Sequence, residues 1–155
     1  RKNGILFLLV SQSCRIKSTI VELDEKEKNG MRQLLNFGHT LGHAMESITD
    51  FKTYTHGEAV SLGIVGAGII SHLSGYISKA ELEEIKNKLK QSGLPVKPKT
   101  FDRGKILKAI LSDKKVRENQ VHWVLLKKIG QAVSNIKVKK SIVEKTLSIM
   151  NSRKK

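Results

Sequence analysis

Aromatic residues make up only 5% of the 155-residue chain. So thin a supply argues against a surface that reads nucleic acid by stacking bases on aromatic rings. Cysteine occurs once, as Cys14. That excludes a disulfide framework and a thiolate metal cluster within the chain, and a reducing cytoplasm is the simplest setting. No apolar run reaches the roughly 20 residues that cross a bilayer. The opening run, residues 5–10, is short, and the run at 59–70 is interrupted by Ser61, Gly63, Gly66 and Gly68. The second run reads as a buried core helix, nothing reads as a signal peptide, and no membrane partner is expected. An initiator Met is also lacking. The chain opens in mid-pattern at Arg1, which suggests a piece of something longer.

Acidic residues are the other shortage: 14 Asp and Glu against 29 Lys and Arg, for a net charge of +15. Such a balance suits a nucleic-acid partner, a site for anionic substrates, or a lysine-rich solvated surface. The lysines are spread over 86–99, 105–115, 127–128, 137–140 and the tail, without helix-turn-helix or zinc-finger spacing. A solvated surface with a local anion site inside it is the favoured reading, and no nucleic-acid partner is expected.

What is present suits one domain with an ordinary core. Residues 4–23 read as a helix and 24–30 as a polar turn ending in Asn29-Gly30. Residues 31–48 follow a helical pattern, 49–55 a loop, and 57–73 a nearly all-apolar helix central to the core. Ser78, with Glu81 three residues on, opens a helix to Gln91 that Gly93 and Pro95 stop. A shorter helix covers 102–112. Two β-branched runs, 121–126 and 132–138, flank Gly130 as a small hairpin, and a last helix covers 141–150. The predicted fold is mainly α with one small β-hairpin.

The chemistry concentrates between Arg32 and Glu58. On one continuous helix at about 100° per residue, Arg32, Asn36, His39 and His43 fall within about 60° of one another. A solvent-facing stripe is ordinarily filled with Lys and Glu. This one carries a guanidinium, an amide and two imidazoles beside Gly38 and Gly42, small residues that admit a ligand or another backbone. Histidines four apart can aim at one point, yet this pair lacks the Glu of the metalloprotease motif and is weak evidence by itself. His56 opens the next helix, so His39 or His43 together with His56 can share an ion while the remaining histidine handles substrate or protons. Glu46 and Glu58 are the local carboxylates. Glu46 reads more simply as a helix-surface acid, and Glu58 reads equally well as a cap. His72 and His122 read as packing or surface residues.

The run Arg32-Gln33-Leu34-Leu35-Asn36-Phe37-Gly38-His39-Thr40-Leu41-Gly42-His43-Ala44-Met45-Glu46, followed by His56-Gly57-Glu58-Ala59-Val60, resembles the signature of 3-dehydroquinate synthase. The acidic turn Asp24-Glu25-Lys26-Glu27, the Ser92-Gly93-Leu94-Pro95 stop and Asp113-Lys114-Lys115 resemble further family landmarks in the same order. The resemblance implies the C-terminal, metal- and substrate-binding helical domain of the dehydroquinate synthase-like fold, spanning residues 1–155. It implies a lyase that converts 3-deoxy-D-arabino-heptulosonate 7-phosphate, a sugar phosphate, to 3-dehydroquinate and phosphate in the shikimate pathway. It also implies a divalent metal, zinc or else cobalt, and NAD held mainly by an N-terminal domain.

Carried over by residue, the family's histidine metal ligands are His39 and His56, and His43 contacts substrate and relays protons. Lys17, Arg32, Asn36 and one of Lys114 and Lys115 bind substrate. Glu27 matches an acidic site residue across a loop one residue longer than in relatives. No Gly-rich dinucleotide fingerprint is found, and the family's third metal ligand, a glutamate, lies upstream of the signature. The chain alone is therefore expected to be inactive, its partners being its own N-terminal domain and a second copy in a homodimer. Rival readings are another sugar-phosphate cyclase of the 2-deoxy-scyllo-inosose synthase type, a basic helical nucleic-acid module, and a structural helical domain with incidental histidines.

Overall fold

The computed structural model describes residues 2–112, 116–117 and 120–152, so Lys114 and Lys115 lie outside the described residues. The chain divides into two compact units, Arg1–Leu35 and Asn36–Lys155.

In the first unit, α1 covers Lys2–Leu23. Its six-residue apolar run is short, but the window Gly4–Leu23 is long and apolar enough to cross a membrane, with mean hydropathy 1.3 and none of it buried. Composition weighs against a span. Ten aliphatic or aromatic side chains in the window contribute roughly −3 to −6 kcal/mol, whereas Arg15 and Lys17 near its middle oppose with roughly +5 to +7 kcal/mol. The turn that follows is organised by Asp24, which is buried. Its two carboxylate oxygens accept from Asn29 N at 3.0 Å and Arg32 N at 3.1 Å. These backbone donors, Asn29 first, hold the Asp24 carboxyl below its usual value against the opposing effect of burial. Gly30 supplies the left-handed φ of 75° that the Asn-Gly turn needs.

In the second unit the elements are α2 (His39–Ile48), α3 (His56–Leu73), α4 (Lys79–Gln91), α5 (Arg103–Ser112), β1 (Val116–Arg117), β2 (Gln120–Lys128), β3 (Gln131–Lys137) and α6 (Lys140–Asn151). The helix expected over 31–48 is not continuous. Arg32–Asn36 is a 3-10 segment, and α2 begins only at His39, capped by Gly38 at φ 82°. The reason is tertiary. A Cβ on Gly63 of α3 would overlap the Gly38 carbonyl, and one on Gly42 would meet Ala59 O at 3.2 Å. The small residues beside the histidines thus admit the backbone of α3.

Helix α3 is the centre, touching α2, α4, α6 and β2. Its buried Leu62 and Ile70 join Leu41, Met45, Ile106, Leu125 and Leu147 in the core. The serines within it are tie points: Ser61 Oγ donates to Pro95 O at 2.8 Å, and Ser71 Oγ accepts from Leu126 N at 3.0 Å. Both capping boxes form, Thr55 with Glu58 on α3 and Ser78 with Glu81 on α4. The hairpin is antiparallel, with Trp123 opposite Ile136 and Lys128 opposite Gln131, and Gly130 turns at φ 84°. A third, two-residue strand, β1, extends the sheet beside β2.

Candidate metal and substrate site

Three imidazoles converge in the second unit. His39 and His43 come from the first two turns of α2, four apart and so on one face. His56 comes from the first residue of α3. Ring centroids lie 5.4 Å apart for His39–His43, 5.5 Å for His39–His56 and 6.0 Å for His43–His56. The backbone of His56 is set from both sides. Thr55 caps the helix it opens, and the hydroxyl of Tyr54 accepts from Lys99 N at 2.8 Å.

Two of the rings have one nitrogen committed. His39 Nδ1 lies 3.3 Å from the carbonyl of Phe37, and His56 Nδ1 lies 3.0 Å from Glu46 Oε1. A carbonyl or a carboxylate oxygen accepts, so Nδ1 is the donor in both contacts, and in the neutral imidazole that leaves the lone pair on Nε2. That is the tautomer an imidazole needs to bind a metal through Nε2. His43, Glu46 and His56 also offer one ligand atom each within 4.8 Å, so the donor set, imidazole nitrogens and a carboxylate, suits zinc or a similar divalent ion.

Of the two carboxylates, Glu58 takes the capping role that was one of its two readings, and Glu46 departs from its simpler reading as a helix-surface acid. Glu58, part-exposed, accepts from Thr55 N at 2.8 Å and from Thr55 Oγ1 at 2.9 Å. Those bonds, the backbone one first, hold its carboxyl below the usual value, with the Lys99 charge adding. It is a cap. Glu46 is 6% exposed and bonds a site histidine. The missed signal lay in the spacing: Glu46 follows His39 by seven residues and His43 by three, which keeps it on their face of α2.

The other candidates are placed as follows. Asn36 is half-buried at the end of the 3-10 segment. Lys17, Glu27 and Arg32 belong to the first unit. Lys17 is exposed on α1. Arg32 donates from Nη1 to Glu25 O at 3.0 Å, and its Nε lies 3.4 Å from Glu27 Oε1. Glu27 itself has a left-handed φ of 51°. Elsewhere, His72 Nδ1 is satisfied by Ile77 O at 3.0 Å. His122 Nδ1 is buried without a hydrogen-bond partner among the described residues.

A family model described as 3-dehydroquinate synthase C-terminal matches residues 1–116. A 3-dehydroquinate synthase of Thermodesulfovibrio yellowstonii is 39% identical over 149 residues, 96% of this chain and 41% of the relative. One of Caldanaerobacter subterraneus subsp. tengcongensis is 42% identical over 146 residues, 94% of this chain and 40% of the relative. The chain thus spans about two fifths of the length of these curated relatives. Among solved structures, a 2-epi-5-epi-valiolone synthase from Streptomyces hygroscopicus subsp. jinggangensis with NAD+ and Zn2+ bound is similar. Its TM-score is 0.78 at 22% identity, over 95% of this chain and 40% of its own. A 2-deoxy-scyllo-inosose synthase complexed with carbaglucose-6-phosphate, NAD+ and Co2+ gives 0.63 at 23% identity, over 79% of this chain and 35% of its own. At these identities the structural likeness speaks for the fold.

Proposed function

This chain belongs to the 3-dehydroquinate synthase C-terminal family, and we propose that it supplies the metal- and substrate-binding part of a 3-dehydroquinate synthase. The reaction would convert 3-deoxy-D-arabino-heptulosonate 7-phosphate to 3-dehydroquinate and phosphate. When bound, NAD would accept and return a hydride, and a divalent metal would stabilise negative charge developing on a substrate oxygen. His39 and His56 hold the ion through Nε2. His43, one turn along α2 from His39 and with its ring centroid 6.0 Å from that of His56, would move protons to and from the substrate. Asn36 hydrogen-bonds substrate hydroxyls. Arg32, Lys17 and one of Lys114 and Lys115 neutralise its phosphate and carboxylate, with the Arg32 guanidinium suited to a two-pronged grip on either. Glu27 serves as a further acid–base group.

The observation that carries this reading is the triangle of imidazoles with the Nδ1 atoms of His39 and His56 committed to acceptors. An incidental set of histidines has no reason to share both a point and a tautomer. The identity of about 40% over nearly the whole chain to synthases of this name favours the heptulosonate phosphate over the substrates of sister cyclases. By itself the chain would hold two metal ligands and no hydride acceptor, so we expect no turnover from it alone.

The test is phosphate release from the heptulosonate phosphate by the full-length protein with NAD and zinc, wild type against His56→Ala. Release and zinc content should both collapse, by more than the roughly 10–100-fold typical of groups that only support a ligand. Robust release from the variant would remove His56 from the metal. Release from another sugar phosphate, with none from the heptulosonate, would move the protein to a sister cyclase.

A further inference from the structure

We propose that Glu46 is a positioning residue for His56. Its buried carboxylate holds the imidazole by Nδ1 and so presents Nε2 to the divalent ion. The inference rests on the metal-binding reading of the site and adds to it a residue outside the family's histidine ligands.

Position supplies the first argument. Glu46 lies in a stretch of α2 where Leu41, Ala44 and Met45 form the core, and it is itself only 6% exposed. A carboxylate removed from water is strongly destabilising unless a donor or cation meets it. The donor that meets Glu46 comes from another helix: His56 Nδ1 approaches Oε1 at 3.0 Å. The contrast between the two side chains supplies the second argument. The His56 side chain is 61% exposed and that of Glu46 only 7%. An exposed imidazole on the first residue of a helix is free to turn about two side-chain bonds. Packing holds the acid, and the acid holds the ring.

The neighbouring acid cannot take this role. Glu58 spends its carboxylate on the backbone N–H and hydroxyl of Thr55, which secures the backbone of His56. Ring and backbone of the same residue are thus fixed by two different glutamates. The close approach of α2 and α3 at Gly38, Gly42 and Gly63 keeps the first of them in reach. Glu46 as a metal ligand in its own right, with His43 and His56, is the rival arrangement. The two differ in what they ask of the side chain. A carboxylate ligand binds the ion through its negative charge, which an amide does not supply, whereas a positioning group need only accept one N–H.

The experiment uses the full-length protein as wild type, Glu46→Gln, Glu46→Ala and His56→Ala. Zinc affinity is measured by competition with a chromogenic chelator. The His56 tautomer is read from ring 15N shifts in the metal-free protein, and thermal melts confirm folding. The wild type should show His56 protonated on Nδ1. Glu46→Ala should weaken zinc about 10–100-fold and mix the two tautomers. Glu46→Gln, whose amide oxygen still accepts the N–H, should stay within a few-fold of wild type. Overturning results are a wild-type His56 protonated on Nε2, unchanged affinity and tautomer in Glu46→Ala, or a folded Glu46→Gln as weak as Glu46→Ala. A wild type without zinc affinity, or a His56→Ala that binds zinc as well as wild type, would count against the metal reading. The tautomer would still decide whether Glu46 orients the ring.

Discussion

The two glutamates near His56 show how one residue type divides between structure and chemistry. Glu58 was half legible in the sequence, because a capping box is a local pattern: a hydroxyl residue and a Glu three positions on see each other whatever the rest of the chain does. The Ser78–Glu81 box was read in that way and formed. Removing the hydroxyl, in Thr55→Ala, should cost about 1 kcal/mol, seen as a lower denaturation midpoint. The cap also has a pH signature. The folded-state value of Glu58 is lowered from an ordinary 4.5 by its bonds to Thr55. Its contribution is therefore present above the unfolded value and lost as pH falls through the lower folded one. Thermal melts between pH 6 and pH 3 should show a shallower acid decline in Glu58→Gln than in wild type. Glu46 was not legible in this way. Its partner is ten residues off on another helix, and only the packing of α2 on α3 brings the two together.

At the scale of elements, periodicity found the helices but overran one of them. Residues 31–48 keep a helical pattern in sequence, yet Gly38 breaks it at φ 82°, since its carbonyl stands where a side chain on Gly63 would go. A hydrophobic pattern records which faces are buried and carries no record of how near a second backbone comes. Glycines 38, 42 and 63 serve that contact, and Gly57 does not: a Cβ there meets nothing within 4 Å. The two positions should therefore respond oppositely to alanine in denaturant titrations. Gly63→Ala should lose about 1–3 kcal/mol or more through overpacking. Gly57→Ala, within a helix and unobstructed, should gain roughly 0.4–1 kcal/mol. Equal responses would mean the α2–α3 contact is looser than described. Ser61 and Ser71 teach the same lesson from the other side. In sequence Ser61 only interrupts an apolar run, whereas in the fold Ser61 and Ser71 bind Pro95 O and Leu126 N and fasten α3 to its neighbours.

At the scale of the whole molecule the salient feature is α1, whose Ile5, Leu6, Phe7, Leu8, Leu9 and Val10 are each 55–71% exposed. Apolar surface of that extent seeks cover. The 155-residue chain by itself should self-associate with rising concentration in sedimentation velocity, and Phe7→Lys with Leu8→Lys should reduce the effect. A chain that stays monomeric throughout would show that this face needs no cover. The net charge of +15 acts at the same scale. Firm retention on DNA at physiological salt, falling steeply as salt rises, would favour the rival nucleic-acid reading, and none is expected. By itself the sequence determined the helical class, the hairpin, the Ser78–Glu81 capping box and the histidines worth watching, because periodicity, turn chemistry and residue type act over a few neighbours. Only the tertiary structure decided where the signature helix breaks, that Glu46 meets a histidine, and that three imidazoles share a point. Those outcomes depend on how closely α2 and α3 approach, a distance set by packing that no single stretch of sequence contains.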